Sequence, residues 1–149
     1  MGDPEFTAAA SRRGDGSQRC LATVSSTAES SSASSVCRAA GTIILDRPAG
    51  ERPDGVFAAS DLLALGLVQT LSASIRIPDD LAVIGYDNNS AVRESAIPIS
   101  TIAQPGREMG ELGARLLWSE VAEAGTHRHE HVVLAPELIA RGSSVRADG

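Results

Sequence analysis

The stretches VFAASD (residues 56–61) and LAVIGYDN (residues 81–88) decide the fold, because each is a short apolar run that ends in polar residues. Such runs, bounded by turn signals, are typical of strands buried in a parallel sheet. The carboxyl ends of parallel strands meet at one edge of the sheet, where open α/β folds bind ligands in a crevice. The sequence therefore predicts a small-molecule site near Asp61 and Asp87.

Strand-like and helix-like stretches alternate around these two runs, which predicts an α/β fold with a parallel sheet flanked by helices. A broad apolar face predicts a helix over residues 61–71, with Ser60 or Asp61 at its N-cap position. A second helix is predicted over residues 105–124, and its apolar stripe is Met109, Leu112, Leu116 and Leu117. Further short strands are predicted at residues 99–102, 132–134 and 138–140.

The amino-terminal part of the chain carries weaker signals. Residues 1–6 are interpreted as a cloning-derived tail, and residues 146–149 as a second short tail. Residues 7–42 are rich in serine and alanine, with a possible strand at 18–24 and a serine run that resembles a flexible linker. The ordered domain is predicted to span residues 43–145.

The composition and charge of the chain argue against several classes of protein. The chain has 149 residues and a formal net charge of −6, which fits one domain and argues against direct binding to nucleic acid or to an anionic membrane. No run reaches the roughly 20 apolar residues of a membrane span, and no signal peptide opens the sequence, so a cytoplasmic protein is expected. Cys20 and Cys37 lack metal-type spacing and are interpreted as idle or buried thiols.

Four motifs occur in a family-specific order. They are FAASDLLALG (residues 57–66), RIPDDLAVIGYDN (76–88), ISTIAQPGREMGELGARLL (99–117) and HVVLAPELIARGSS (131–144). Together they resemble the LacI/GalR family of bacterial transcription regulators. The resemblance implies the C-terminal subdomain of a periplasmic-binding-protein-like (type I) sensor domain, here incomplete. In that family two subdomains enclose a sugar, nucleobase or similar effector, and a helix-turn-helix with no counterpart in these residues binds DNA.

The resemblance also implies roles for individual residues. Asp87 matches an aspartate that hydrogen-bonds the effector, Asn88 follows it, and Ser60 stands where many members have asparagine. Asp61 is interpreted chiefly as a helix cap. The family forms dimers, and helix 61–71 is the candidate contact, through Leu63, Gly66, Leu67 and Val68. The region from residue 25 to 45 is shorter than the family pattern by about one strand–helix unit.

Other functions find less support in the sequence. His127, His129 and His131 would share one face of an extended segment and could bind a metal ion weakly, but a solvated connection into the last strand is the favoured interpretation, so no metal site is expected. No cofactor motif, GxSxG motif or phosphate-binding glycine loop accompanies the aspartates, so catalysis is not expected. The alternatives are a solute carrier of the same fold and a structural oligomerisation fragment that binds no small molecule.

Overall fold

The structure is a computed structural model, and it describes residues 5–12, 18–25, 33–122 and 129–145. Within these ranges, six strands form one sheet in the order β1 to β6. They are β1 (Glu5–Arg12), β2 (Gln18–Ser25), β3 (Gly55–Ala58), β4 (Ala82–Tyr86), β5 (Ser100–Ala103) and β6 (Glu137–Ile139). Strands β2 to β5 are parallel, whereas β1 and β6 run antiparallel to their neighbours. The predicted α/β fold with a largely parallel sheet is confirmed.

In the part of the chain that the structure describes, four α-helices accompany the sheet. They are α1 (Ala33–Leu45), α2 (Asp61–Leu71), the short α3 (Ser90–Arg93) and α4 (Gly106–Ala122), and a single 3-10 turn covers Ala49–Glu51. Each of α1 and α2 connects two neighbouring parallel strands. This is the βαβ arrangement that the spacing of strands and helices predicts.

The core lies between α1, α2 and one face of the sheet. Alternate residues of the central strands are buried, namely Val24 in β2, Val56 and Ala58 in β3, and Val83 in β4. Helix α2 covers them with Leu63, Ala64, Leu67, Val68 and Leu71, and α1 adds Val36, Cys37, Ala40 and Ile44. The alternating residues Phe57, Ile84 and Tyr86 are only half-buried. One face of the sheet is therefore covered far better than the other.

Two glycines bring α1 and α2 close together. A Cβ added at Gly66 would lie 2.5 Å from Cys37 Sγ, and one added at Gly41 would lie 2.6 Å from Thr70 Cγ2. Both distances are shorter than any real carbon contact, so a larger residue at either position would push the helices apart. Glycine at these positions lets the two helices pack at short range.

Helix α4 contrasts with the rest of the fold, because none of its residues is buried. Leu117, Trp118 and Val121 are 66%, 72% and 68% exposed. The apolar stripe predicted from the sequence exists, but it is a surface of the described chain and not part of its core. Within the described residues, no helix is both long enough and apolar enough to span a membrane.

Several predicted boundaries need correction. Residues 5 and 6 belong to β1, and α1 begins at Ala33, inside the region interpreted as a linker. Residues 132–134 are not a strand, because they pair with no neighbour there. The helix predicted over 105–124 corresponds to Gly106–Ala122, and residues 123–124 lie outside the described part of the chain, as do residues 1–4, 26–32 and 146–149.

Candidate ligand-binding site at the strand ends

The carboxyl ends of β3, β4 and β5 lie side by side, because these three strands are parallel neighbours. Ser60 and Asp61 follow β3, Asp87 follows β4, and Gln104 follows β5. The sheet therefore gathers four polar side chains from three separate sequence motifs along one edge. This is the location in which α/β folds bind small molecules.

Asp87 is the exposed carboxylate of this edge. Its backbone N–H donates to the carbonyl oxygen of Ile102 at 2.9 Å, which fixes the residue to β5. Its Oδ1 accepts a hydrogen bond from Gln104 Nε2 at 2.9 Å. Gln104 thereby orients the carboxylate, which retains further acceptor positions because an ionised carboxylate offers about four lone pairs.

The loop that begins at Asp87 has an unusual backbone. Asp87 has φ 108° and Asn88 has φ 58°, both in the region that L-residues rarely adopt. Such conformations persist only where the surrounding structure holds them. The Asn88 N–H donates to Thr101 Oγ1 at 3.2 Å, and the Asn89 N–H donates to Asp61 Oδ2 at 2.7 Å. The side chains of Thr101 and Asp61 therefore hold the backbone of this loop in place.

The prediction that Asp61 caps helix α2 is wrong. Ser60 is the N-cap, since its Oγ accepts a hydrogen bond from the Leu63 N–H at 3.3 Å. Asp61 is completely buried, and its Oδ1 accepts a 2.6 Å hydrogen bond from Thr101 Oγ1. Its carboxylate also occupies the space that a Cβ at Gly85 would fill. Asp61 thus supports the loop that begins at Asp87 from inside the protein.

Two of the predicted ligand contacts already have partners in the protein. Ser60 caps α2 through its lone pair, but its hydroxyl hydrogen can still donate to a ligand. Asn88 Oδ1 accepts a hydrogen bond from Arg141 Nη2 at 2.7 Å, which occupies one of its two lone pairs and orients the NH₂ group as a donor to a ligand. The three predicted residues Ser60, Asp87 and Asn88 share one edge of the sheet.

Sequence reasoning missed Thr101, Gln104 and Arg141 as members of this site. A signal existed, because the β5 sequence STIA places two hydroxyl residues in a strand that is otherwise apolar, and both Ser100 and Thr101 are fully buried. Buried hydroxyls need hydrogen-bond partners. Which partners they find depends on strand register, and register is not visible in the sequence.

The predicted dimer residues are occupied within the single chain. Leu63, Leu67 and Val68 are 7%, 1% and 5% exposed, and Gly66 faces Cys37 of α1. Because these side chains lie between α2, α1 and the sheet, they are not available to a second copy. The prediction of a dimer face at these four residues is corrected accordingly.

The histidine cluster is only partly described. His127 lies outside the described residues, and His129 Nδ1 lies 2.7 Å from Glu120 Oε1 of α4. His131 is exposed. Among the described residues, no three histidine, cysteine or acidic side chains are gathered in a way that could hold a metal ion.

Residues 4–144 match the model of the periplasmic binding protein-like domain family. The chain belongs to this family. This periplasmic binding protein-like domain is 39% identical over 94 residues to the HTH-type transcriptional repressor PurR of Mannheimia succiniciproducens, an alignment that covers 62% of this chain and 28% of that protein. It is 37% identical over 94 residues to the ribose operon repressor of Escherichia coli K12, again across 62% and 28% of the two chains.

Solved structures agree with these sequence relatives. A LacI family transcriptional regulator from Arthrobacter sp. FB24, in complex with lactose, superposes on this chain with a TM-score of 0.64 and 31% sequence identity. The superposition covers 74% of this chain and 41% of the chain of that regulator. The resemblance to LacI-type regulators is therefore confirmed, and the periplasmic binding protein-like domain described here is a partial sensor domain. It spans 28% of the length of the two repressors.

Proposed function

We propose that this chain supplies one wall of the effector pocket of a LacI-type transcription regulator, with Asp87 as its principal ligand contact. The observation that carries the proposal is an exposed carboxylate at the carboxyl edge of a parallel sheet, oriented by Gln104 and set on a loop held by hydrogen bonds. A sugar or a nucleobase-like molecule is the ligand class that fits. The relatives include a ribose operon repressor and a lactose-bound regulator, which supports this choice.

The chemistry of Asp87 suits a polyhydroxylated or nitrogen-rich ligand. Its two carboxylate oxygens can accept hydrogen bonds from adjacent hydroxyls or from ring N–H groups, and hydrogen bonds to an ionised acceptor are stronger than neutral ones. Ser60 can add a hydroxyl donor from the end of β3, and Asn88 can add its NH₂ group. This set binds and orients a ligand, so we propose a binding function without catalysis.

The opposing wall of the pocket is expected to come from a first subdomain. Helix α4 and residues 132–134 support this expectation, because they expose apolar side chains and border a cleft of about 420 Å³ between Leu112, Val132 and Leu134. An apolar surface of this kind is typical of a site that another protein surface covers. Effector binding between two subdomains would shift their relative arrangement and, through it, the affinity for DNA.

We also propose that the intact regulator is a cytoplasmic homodimer that contacts DNA through another part of its chain. With Leu63, Leu67 and Val68 buried, the remaining apolar face of α2 is its outer one. Leu62 is 56% exposed there, and Leu65, three residues later, is partly exposed. The outer face of α2 around these two leucines is the dimer contact that we propose in place of the residues corrected above.

The proposed function is tested by titrating the ¹⁵N-labelled chain with a panel of monosaccharides, disaccharides and purine bases, followed by amide NMR shifts. At least one ligand should shift the amides of residues 87–89 and the Gln104 side chain, in fast exchange, because half a pocket binds weakly. Asp87→Ala should abolish these shifts. Asp46→Ala, which removes an exposed carboxylate outside the proposed site, should leave them unchanged.

A second candidate function is a structural fragment that associates through its exposed apolar helix. The exposure of Leu117, Trp118 and Val121 favours it. A titration in which no panel member shifts residues 87–89, combined with concentration-dependent association that Leu117→Asp abolishes, would support this second function and contradict effector binding.

A further inference from the structure

The loop over residues 87–89, named the ligand loop here, is held by Ile102, Thr101 and Asp61, and a further side chain joins it to β5, namely Arg141. Its Nη2 donates to Asn88 Oδ1 at 2.7 Å, and its Nη1 donates to the carbonyl oxygen of Ile99 at 2.7 Å. Ile99 directly precedes β5, whereas Asn88 lies in the loop after β4. One guanidinium group therefore bridges the start of β5 and the loop that carries the proposed ligand contacts.

The backbone of Arg141 is itself fixed to β5. Its N–H donates to Ser100 Oγ at 2.7 Å, and Ser100 Oγ lies 3.1 Å from the Arg141 carbonyl oxygen and 2.7 Å from Ser144 Oγ. The next buried serine, Ser143, donates from Oγ to the Val83 carbonyl oxygen at 2.6 Å and accepts from the Ser100 N–H at 2.8 Å. Hydrogen bonds therefore hold the backbone of Arg141, from which the guanidinium extends, against β4 and β5.

The chemistry of the bridge requires arginine. Both acceptors are neutral amide oxygens, and they lie on different segments, so the interaction depends on the fixed fork of a planar guanidinium more than on its charge. A lysine ammonium keeps the charge but is a single point donor without that fork. Arg141 is half-buried, which limits competition from water for these hydrogen bonds.

We infer that Arg141 is a positioning residue that fixes the side chain of Asn88 and thereby the ligand loop. The loop backbone has positive φ at Asp87 and Asn88 and is held by Thr101 and Asp61, and Arg141 adds a restraint on the Asn88 side chain from the segment that follows β6. Loss of this restraint would free the Asn88 side chain and let the neighbouring Asp87 shift. This inference rests on the proposed function and deepens it, because it assigns a residue outside the loop that sets the positions of the proposed ligand contacts.

The test uses the full chain without ligand, so its outcome does not depend on whether an effector binds. In Arg141→Lys, hydrogen exchange of the Asn88 and Asn89 amides should accelerate about tenfold or more, as expected when a hydrogen bond from a charged donor is lost. Exchange in β4, at Val83 and Ile84, should stay unchanged. The matched control is Arg93→Lys, an exposed arginine of α3, which should change neither set.

A double-mutant cycle separates positioning from a general structural role. Asn88→Gly removes both the Arg141 acceptor and the strain of a positive φ, so Arg141→Lys should have no further effect on loop exchange in that background. The inference is overturned if Arg141→Lys leaves the loop amides unchanged. It is also overturned if β4 and β5 amides accelerate equally with the loop, or if the two substitutions are additive.

Discussion

Helices α2 and α4 are both rich in apolar residues, but they differ in how far these residues are buried. In α2, six residues from Asp61 to Leu71 are buried against α1 and the sheet, whereas in α4 none is buried. The apolar face of α2 is broad and that of α4 is a narrower stripe, but neither pattern identifies the surface that covers it. The difference is that the described chain supplies a packing partner for α2 only. An apolar stripe therefore shows that a helix packs against something, and not that the partner lies in the same chain.

The largest expected difference between the helices concerns leucine truncation. Leu71 of α2 is fully buried, so Leu71→Ala should lower the free energy of unfolding by about 2–5 kcal/mol. Leu117 of α4 is 66% exposed, so Leu117→Ala should change it by less than about 0.5 kcal/mol. Urea denaturation of both variants provides the measurement. Equal losses at the two positions would show that α4 is covered in solution.

Glycine substitutions should have opposite signs in the two helices. Gly66→Ala places a methyl group against Cys37 Sγ and should destabilise the chain by about 1–3 kcal/mol. Gly113→Ala meets no atom within 4 Å and should stabilise the chain by up to about 1 kcal/mol, because alanine favours the helix. Thermal unfolding monitored by circular dichroism measures both changes. A destabilising Gly113→Ala would indicate that another surface closely approaches α4.

A smaller effect is expected at the polar end of α2. Ser60→Ala removes the N-cap hydrogen bond to Leu63 and should cost about 1 kcal/mol. Ser119→Ala in α4 removes only a bond back to the Leu116 carbonyl and should be close to neutral. The same urea titrations report both values. A neutral Ser60→Ala would contradict the capping role of Ser60.

The α1–α2 contact should also protect a thiol. Burial raises the pKa of Cys37, whose Sγ donates to the Leu63 carbonyl oxygen at 3.4 Å. A raised pKa lowers the thiolate fraction at pH 8, and the thiolate is the reactive form. In a Cys20→Ser background, Ellman's reagent should therefore react far more slowly with the folded chain than with the chain in urea. Equal rates would mean that α1 opens readily from α2.

Much of the fold follows from local sequence signals. The strands β3, β4 and β5 and the helices α2 and α4 appear near their predicted positions, because each combines a clear apolar period with turn residues at its ends. Helix α1 was missed because its first residues belong to a serine run. The spacing of Val36, Ala40 and Ile44 was a helical signal within it. Strand β1 was missed because its first two residues were set aside as a tail and the other six lie in the segment rich in serine and alanine, which carries no clear strand pattern.

The sequence alone could place the candidate site at the strand ends but could not predict its hydrogen bonding. Asp87 could be chosen because strand ends collect polar side chains. The roles of Asp61 and Asn88 could not, because their partners Thr101 and Arg141 lie 40 and 53 residues away in the sequence. Those contacts depend on sheet register and on the path of the chain after β6. The dimer residues were misassigned because nothing in α2 shows which of its faces α1 covers.

The most direct test of the central claim is the effector affinity of a complete sensor that contains this half-site. The segment of this chain that aligns with the E. coli ribose operon repressor can replace its counterpart there, and calorimetry with the sugar and purine panel then measures affinity. We predict binding that Asp87→Ala weakens about tenfold or more and that Asp46→Ala leaves unchanged. Equal affinity with and without the Asp87 carboxylate, or no binding across the panel, would contradict the account.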